Sequence, residues 1–370
     1  MSELLIFSLI ILFFYCFLIL RFFYAWKKTP EYISYGKHSK FFISVVIPFQ
    51  NESKNLEALI EGLKRQQYPI DKHEVILVDD HSTDDSLKIG DMLTEDVMNI
   101  RCVRNNSIKG KKYALYTGIE QARGENILIS DADCSFSPGW ISIFASFISA
   151  NPELKLISSG VKLKSNNSFI QSFQSLEFSS LIATGAASFF QKDPIMCNGA
   201  NLAFKKELFL EAFDQMHPEI NTGDDIFLML YTKKNYPGKY AFLKNNNAFT
   251  ISSALNNWKD LIMQRIRWSS KSTYYRDFYI IITAILVLFI NTCLLILFIS
   301  SFFQPVLFTF FLFFLFMKSI PDFLLLKIYL SFSRQKRLLK FFLPSQLINI
   351  IFIPLSGITG ILLSPRRKPN

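Results

Sequence analysis

The sequence predicts an α/β protein: a mostly parallel sheet covered by helices, set between an N-terminal transmembrane helix and C-terminal transmembrane or interfacial helices. Three observations predict it. Short apolar runs alternate with helical patterns between residues 41 and 130, the signature of strand-crossover-strand units. Long uncharged apolar stretches flank that region on both sides. Acidic clusters stand at the carboxyl ends of two apolar runs, where sheets of this kind bind ligands.

The chain is 50% hydrophobic over 370 residues and holds 39 Phe, more than one soluble core requires. Leu4 to Leu20 is uncharged and almost wholly apolar, close to the roughly 20 residues that cross a bilayer. No basic segment precedes it and no small-residue cleavage site follows, so a retained anchor over 1–28 is expected, not a signal peptide. Arg21, Lys27 and Lys28 come next. The positive-inside rule then makes this a multi-pass protein of the inner (cytoplasmic) membrane with its globular part in the cytoplasm.

Residues 41–256 carry the globular pattern. Phe42 to Pro48 is a β-branched run stopped by Pro, and Leu56 to Leu63 has helical spacing behind Asn51 and Ser53. Glu74 to Val78 is a second buried strand that ends at Asp79-Asp80 and the polar turn His81-Ser82-Thr83-Asp84. Asn99 to Val103 reads as a third strand, Lys112 to Ala122 as a helix and Asn126 to Ser130 as a fourth strand.

Residues 257–277 suit an amphipathic helix at the headgroup level, with Leu261, Ile262, Arg265 and Trp268 on one face and Lys259, Arg267 and Lys271 on the other. Residues 278–363 then hold two to three membrane segments. Phe278 to Phe303 is long enough to span. Val306 to Leu330 contains Lys318, Pro321 and Asp322: either the Lys and Asp pair on one helix face, or Pro321 divides two half-segments. Phe341 to Leu363 is flanked by basic residues, Arg334 to Lys340 before and Arg366-Arg367-Lys368 after. That contradicts a simple crossing and leaves a re-entrant or interfacial course open.

Other classes are excluded. Five cysteines, at 16, 102, 134, 197 and 293, show neither disulfide nor zinc spacing. His38, His73, His81 and His217 have no convergent spacing and are expected on the surface or in loops. The net charge of +10 is scattered or lies beside membrane segments, which favours lipid headgroups and a phosphorylated substrate as partners, and no nucleic acid.

Chemistry concentrates in a few phrases. Asp131-Ala132-Asp133 follows an apolar run, and two carboxylates so placed can hold a divalent cation that grips a diphosphate. Asp79-Asp80 taken alone reads equally as a cap or a solvated turn. With Lys111 of Gly110-Lys111-Lys112 to offset phosphate charge, the clusters outline a nucleotide-diphosphate site. Asn198-Gly199-Ala200-Asn201 is either a turn whose amides suit sugar hydroxyls or a plain strand-entry turn. Asp224-Asp225 precedes a helical pattern, where acids favour the helix start and a carboxylate can also act as a base.

Five phrases in order, Val46-Ile47-Pro48-Phe49-Gln50-Asn51-Glu52, Val78-Asp79-Asp80-His81-Ser82-Thr83-Asp84, Asp131-Ala132-Asp133, Thr222-Gly223-Asp224-Asp225 and Gln264-Arg265-Ile266-Arg267-Trp268, resemble the membrane-bound family-2 glycosyltransferases with a GT-A fold. That group includes cellulose, chitin and hyaluronan synthases and ceramide glucosyltransferase. The resemblance covers about 230 residues and the flanking membrane segments.

It implies a GT-A domain in which Pro48, Glu52, Asp79 and Asp80 form nucleoside-binding elements. Asp131 and Asp133 match the metal motif, with Asp133 the direct ligand to Mg²⁺ or Mn²⁺. Asp225, beside Asp224, matches the general base. Gln264, Arg267 and Trp268 match the QxxRW motif, in which Arg meets the leaving diphosphate and Trp borders the acceptor. Asn198 and Gly199 correspond loosely to a segment beside the acceptor. Gly223 stands where several relatives carry Glu, and the C-terminal membrane portion is short, which counts against processive synthesis.

The expectation is an inverting, metal-dependent transfer of a hexose from a nucleotide sugar, the uridine diphosphate form, to a hydroxyl of a lipid or a polysaccharide chain. Two alternatives stand beside it. One is a catalytically silent membrane subunit, whose usual mark would be loss of Asp133, Asp225 or Arg267; all three are present. The other is a polyprenyl-phosphate sugar transferase.

Overall fold

The structure, a computed structural model, describes residues 2–33, 41–166, 168–218, 220 and 222–364. In chain order its elements are α1 (Ser2–Lys28), β1 (Ile43–Phe49), α2 (Leu56–Lys64), β2 (His73–Asp79), α3 (Ser86–Thr94), β3 (Ile100–Arg104), α4 (Lys111–Glu120), β4 (Asn126–Ile129), α5 (Trp140–Ala150), β5 (Leu156–Ser159), β6 (Val161–Lys164), α6 (Phe169–Phe190), β7 (Leu202–Lys205), α7 (Lys206–Ala212), α8 (Asp224–Asn235), β8 (Tyr240–Leu243), β9 (Thr250–Ser253), α9 (Trp258–Ser269), α10 (Phe278–Ser301), α11 (Val306–Phe332) and α12 (Phe342–Leu362). They divide into two units, an α/β unit of residues 29–164 and 188–253 and a helical unit of residues 1–28, 165–187 and 254–370.

In the α/β unit, seven strands form one sheet in the order β3-β2-β1-β4-β7-β5-β8. β1 runs parallel to both β2 and β4, with Val45 opposite Val75 on one side and Leu128 on the other. β2 and β3 therefore lie on one side of β1 and β4 on the other. That reversal of strand order opens a crevice at the carboxyl ends of β1 and β4, where ligands bind open sheets. β7 enters antiparallel beyond β4. β6 and β9 pair as a separate parallel ribbon.

β1, β2, β4 and β5 are buried at every position, which is why the central residues of β1, β2 and β4 read as apolar runs without alternation. α2 covers one face with Leu56, Leu59, Ile60 and Leu63, and α5 adds Trp140, Ile141 and Phe144 to the same core. Trp140 stacks on Phe136 with ring centroids 4.2 Å apart.

His73 departs from its expected place. It opens β2, is buried, and sits between the Pro69 carbonyl at 2.9 Å and the Asn99 side chain at 2.8 Å. The polar sequence around it masks a strand start whose imidazole is fully partnered. His81 does lie in an exposed turn, and His38 is outside the described residues. α3 escaped the sequence pattern because only Ile89 and Leu93 turn toward the core.

Among the described residues, the helical unit holds four helices long and apolar enough to cross a membrane: Ile6–Lys28, Phe278–Ser301, Val306–Phe332 and Lys336–Leu362. α11 runs unbroken through Pro321, so the divided-segment alternative is wrong. Pro321 cannot donate to the carbonyl of Met317, and Cys16 of α1 donates its thiol to that oxygen at 3.6 Å. Lys318 and Asp322 pair at 2.8 Å on one face of α11, as their spacing allows.

α12 is also one continuous helix despite Pro354. Its Phe352 packs with Phe173 of α6 and Leu261 of α9. Its later turns lie against α9 and the chain after it: Ser269 donates to the Ser356 carbonyl and Ser364 to the Ser270 carbonyl, both at 2.8 Å. The basic flank Arg366-Arg367-Lys368 lies outside the described residues. On α9, Leu261 and Arg265 are buried and Lys259 and Arg267 exposed. Lys271, expected on that outer face, is instead buried. α9 ends at Ser269 and a tighter 3-10 turn over Ser270–Tyr274 changes the angular register.

Candidate active site

The carboxyl ends of β1, β2 and β4 and the start of α8 supply the acidic side chains. Pro48 is buried within β1 opposite Val78. It lies beyond the last β1–β4 pair, Val46 with Ile129, so its missing N–H removes no bond on that side. Asp79 closes the turn after β2 by accepting from the Ser82 N–H at 3.2 Å.

Asp80 is not a solvated turn residue. It is buried, and both its oxygens accept from the Gly110 N–H at 3.0 Å while Oδ1 also accepts from Asn105 at 2.9 Å. Gln50 donates to the Asp80 carbonyl at 2.5 Å, tying the loop after β1 to the end of β2.

Glu52 is half-buried in that same loop. Its N–H donates to Ser86 Oγ at 2.8 Å and its carboxylate accepts from Asn55 at 2.6 Å. Burial pushes the Glu52 carboxyl up, the Asn55 bond opposes this, and Asp133, Asp131 and Asp84 push it up further. Glu52 therefore shares the field of the Asp131-Ala132-Asp133 motif, although Asp131 lies 79 positions further along the chain.

Lys111 joins the clusters. Its ammonium lies 2.6 Å from Asp131 and 3.6 Å from Asp224, although the side chain keeps 31% of its surface exposed. Burial works against the charge, but Asp131, Asp224 and Asp225 outweigh it and hold the ammonium above its ordinary range. Gly110, one residue earlier, donates to Asp80. The start of α4 thus touches the acid groups after β2, after β4 and at α8 together.

Gly199 approaches the same point. A Cβ there would lie 2.9 Å from Asp224 Oδ2 and 3.4 Å from Lys111 Nζ. Its N–H donates to Asp225 Oδ2 at 3.0 Å, and Asp225 Oδ1 accepts from the Ile226 N–H at 2.8 Å. Asp224 and Asp225 therefore do open α8, as a cap would, and they also face the Lys111 cluster. Gly223 precedes them at φ +87°, a left-handed conformation that glycine accepts and a glutamate there would strain.

Asn198 and Asn201 separate in role. Asn198 turns its Oδ1 back to the Ala200 N–H at 2.9 Å. Asn201 is wholly buried, donates to the Gly160 and Ala248 carbonyls at 2.7 and 2.8 Å, and accepts from Trp140 at 3.0 Å. Asn201 is a framework residue with no amide left for a sugar.

The motif Asp131-Ala132-Asp133 offers a cation two carboxylates. Asp131 is 39% exposed beside Lys111, and Asp133 accepts from Ser252 of β9 at 2.6 Å. Among the described residues no group of three or more His, Cys, Asp and Glu could hold an ion. Burial first, then Asp131 and Asp133, push the neighbouring Cys134 thiol up. Two carboxylates fit a hard cation such as Mg²⁺, which completes its shell from phosphates and water.

Gln264, Arg267 and Trp268 lie on α9 of the helical unit. Arg267 is exposed, and Gln264 and Trp268 are half-buried. Sequence inspection missed several supporting residues. Lys112, beside Lys111, is buried and donates to the Met216 and His217 carbonyls at 2.7 Å each, which anchors the chain leading into α8. Asn105 and Ser252 hold Asp80 and Asp133. A Lys or Asn in a polar loop carries no sign in the sequence that it is buried.

Residues 44–212, the stretch that supplies every strand of this sheet except β8, match the profile of Glycosyl transferase family 2. Over that stretch the chain is similar to family-2 glycosyltransferases. Glycosyltransferase AglE of Haloferax volcanii is 33% identical over 108 residues, 29% of this chain and 36% of that protein. Undecaprenyl-phosphate 4-deoxy-4-formamido-L-arabinose transferase of Pseudomonas fluorescens is 36% identical over 101 residues, 26% of this chain and 29% of that one. The chain thus spans about a third of the length of these curated relatives. Mannosyltransferase PcManGT from Pyrobaculum calidifontis, solved in complex with GDP-Man and Mn2+, is 17% identical and aligns over 98% of this chain and 97% of its own, with a TM-score of 0.59. That likeness is one of fold, the GT-A fold of a mostly parallel sheet covered by helices.

Proposed function

We propose that this chain transfers a hexose from a nucleotide sugar, in the uridine diphosphate form, to a hydroxyl acceptor at the membrane, with inversion and with a divalent cation. The observation that carries the proposal is the meeting of Asp131, Asp224, Asp225 and Gly199 around the Lys111 ammonium, with Asp80 held one residue away by Gly110. The four helices long and apolar enough to cross a membrane support a membrane-side acceptor, as does the similarity to an undecaprenyl-phosphate transferase.

Each side chain then has a task. Asp80, immobilised by Gly110 and Asn105, is a fixed acceptor for the N–H of a base. Asp133 and Asp131 would hold Mg²⁺ or Mn²⁺, which supplies charge to balance the diphosphate. Lys111 adds a fixed positive charge beside the departing oxygen, where preorganised charge acts most strongly. Asp225, held by two backbone N–H groups, takes the proton of the incoming hydroxyl and keeps its orientation while doing so. Asp224 anchors Lys111 toward the acid pair. Gln264, Arg267 and Trp268 are assigned to the leaving diphosphate and the acceptor, Arg267 because an exposed guanidinium fork suits phosphate.

A polyprenyl-phosphate acceptor is the second reading, favoured by the 36% identity to the undecaprenyl-phosphate enzyme. The two differ chemically at Asp225: a hydroxyl needs a base, whereas a phosphate oxygen is already ionised at neutral pH. The full-length protein is therefore screened by thermal shift against UDP- and GDP-sugars with Mn²⁺, since a bound donor stabilises by mass action. Transfer is then measured for wild type and Asp225→Asn. With a hydroxyl acceptor, Asp225→Asn lowers transfer by about 10²–10⁴-fold while the donor-induced shift persists. Retained turnover removes Asp225 as the base and favours the phosphate acceptor. Absence of any donor-induced shift sinks the sugar-transfer proposal itself.

A further inference from the structure

We propose that Glu177 and Arg265 form a buried clamp that sets the orientation of Gln264 and Trp268, which makes Glu177, a residue outside every sequence motif, a positioning residue for sugar transfer. The inference rests on the assignment of Gln264 and Trp268 to the transfer site under the proposed function.

Arg265 is only 6% exposed. Its Nε donates to both carboxylate oxygens of Glu177, at 3.0 and 3.2 Å, and its Nη2 also donates to Glu177 Oε2. Nη1 of the same guanidinium donates to Gln264 Oε1 at 2.5 Å. Its central carbon stands 4.2 Å from the centroid of the Trp268 ring. Phe178, next to Glu177 on α6, reaches the same indole with ring centroids 6.2 Å apart.

One planar group therefore touches three partners, and the plane is what transmits the constraint. Two nitrogens engaged on Glu177 fix the guanidinium plane. With the plane fixed, the direction of Nη1 is fixed, and so is the face offered to the indole. Gln264 presents its oxygen to Arg265, which leaves its NH₂ as the donor for a ligand oxygen. Trp268 lies one helical turn beyond Arg265, so the α-helix itself places the ring over the cation.

A buried guanidinium needs a countercharge, and Glu177 supplies it from a different helix. The same geometry divides labour between the two arginines of the motif. Arg265 is consumed by Glu177, whereas Arg267 is exposed and has no ion pair among the described residues. Lysine at 265 would keep the charge but lose both the fork and the stacking plane.

The test uses the full chain in detergent with Glu177→Gln, Arg265→Lys and the double variant Glu177→Leu/Arg265→Met. The single variants leave one buried charge or polar group without its partner, so the double variant, which removes both charges together, guards against loss of folding. Trp268 emission is isolated from that of the other three tryptophans by difference against Trp268→Phe, and its quenching by iodide is followed. Expected are a more accessible Trp268 in Arg265→Lys and in the double variant, and kcat/KM for the donor lowered about tenfold with native circular dichroism. A double variant that folds natively with unchanged Trp268 quenching overturns the clamp. Altered quenching with unchanged kcat/KM overturns the positioning role. If the wild-type chain transfers no sugar, the proposed function has failed, and quenching alone still decides whether the clamp exists.

Discussion

Gly199 limits how close the loop before β7 can come to the acid pair, because any side chain there would press on Asp224 Oδ2 at 2.9 Å. Gly199→Ala is expected to lower transfer by about 10–10²-fold through displacement of Asp224 and Lys111. Its thermal midpoint should stay near wild type, since the contact is with side chains and not backbone; an active variant would show that the loop has room to give. Asp84 works at the same scale on the other side of the site. The Ser86 hydroxyl, more than any other group, holds its carboxyl down to about 2, and Ser86 in turn receives the Glu52 N–H. A depressed carboxylate stabilises above its unfolded value of about 3.9, and that contribution disappears as pH falls through the folded value. The difference in thermal midpoint between wild type and Asp84→Asn is therefore expected to shrink between pH 4 and pH 2; a constant difference would deny the linkage. Asp80, Asp131 and Asp225 were legible because each stands in a short acidic phrase beside an apolar run, and the phrases follow one another in a recognisable order. Asn105 was not, since its value lies wholly in a contact with Asp80 across 25 residues.

At the scale of elements, α8 shows how a helix start becomes a candidate catalytic feature. Gly223 turns the chain, Asp224 and Asp225 occupy the first turn, and the segment before them is tied down by Lys112 from α4. Lys112 also lies 4.8 Å from the centroid of the Phe227 ring, one turn into α8. Lys112→Met removes two charge-assisted bonds to backbone carbonyls and is expected to destabilise the fold by about 2–3 kcal/mol. Denaturant unfolding measures it, and a loss near zero would mean that the approach to α8 is held by other contacts. Periodicity revealed β1, α2, β2, α4 and β4 within a residue or two, because each buries a clear apolar set. It was silent on α3, which turns few apolar residues inward. Pro321 misled for a different reason: its lost backbone bond is offset by Cys16 on another helix, a compensation that no local pattern announces.

At the scale of the whole molecule, each unit is organised by a polar centre within an apolar frame. In the helical unit that centre is a network of Lys318, Asp322, Gln346 and Tyr15, drawn from α11, α12 and α1. Lys318 donates to Asp322 at 2.8 Å and to Gln346 at 2.7 Å, and Tyr15 donates to Asp322 at 2.7 Å. Lys318→Met leaves Asp322 buried without its countercharge and is expected to destabilise by about 3–5 kcal/mol, whereas Lys318→Met/Asp322→Leu is expected to be nearly neutral. Thermal unfolding in detergent compares them, and equal losses would show that the pair itself supplies net stability. The sequence by itself determined the class of this protein: apolar runs of membrane length, an alternating α/β core and ordered acidic motifs are local properties, and local spacing records them. Only the tertiary structure decided that Lys111 is the hinge between acid groups from β4 and α8, that Asn201 is consumed by the framework, and that Arg265 is spoken for by Glu177. Those facts depend on hydrogen bonds and charges brought together across 20 to 113 residues of chain. Such contacts come from strand order and helix packing, and a one-dimensional pattern does not carry them.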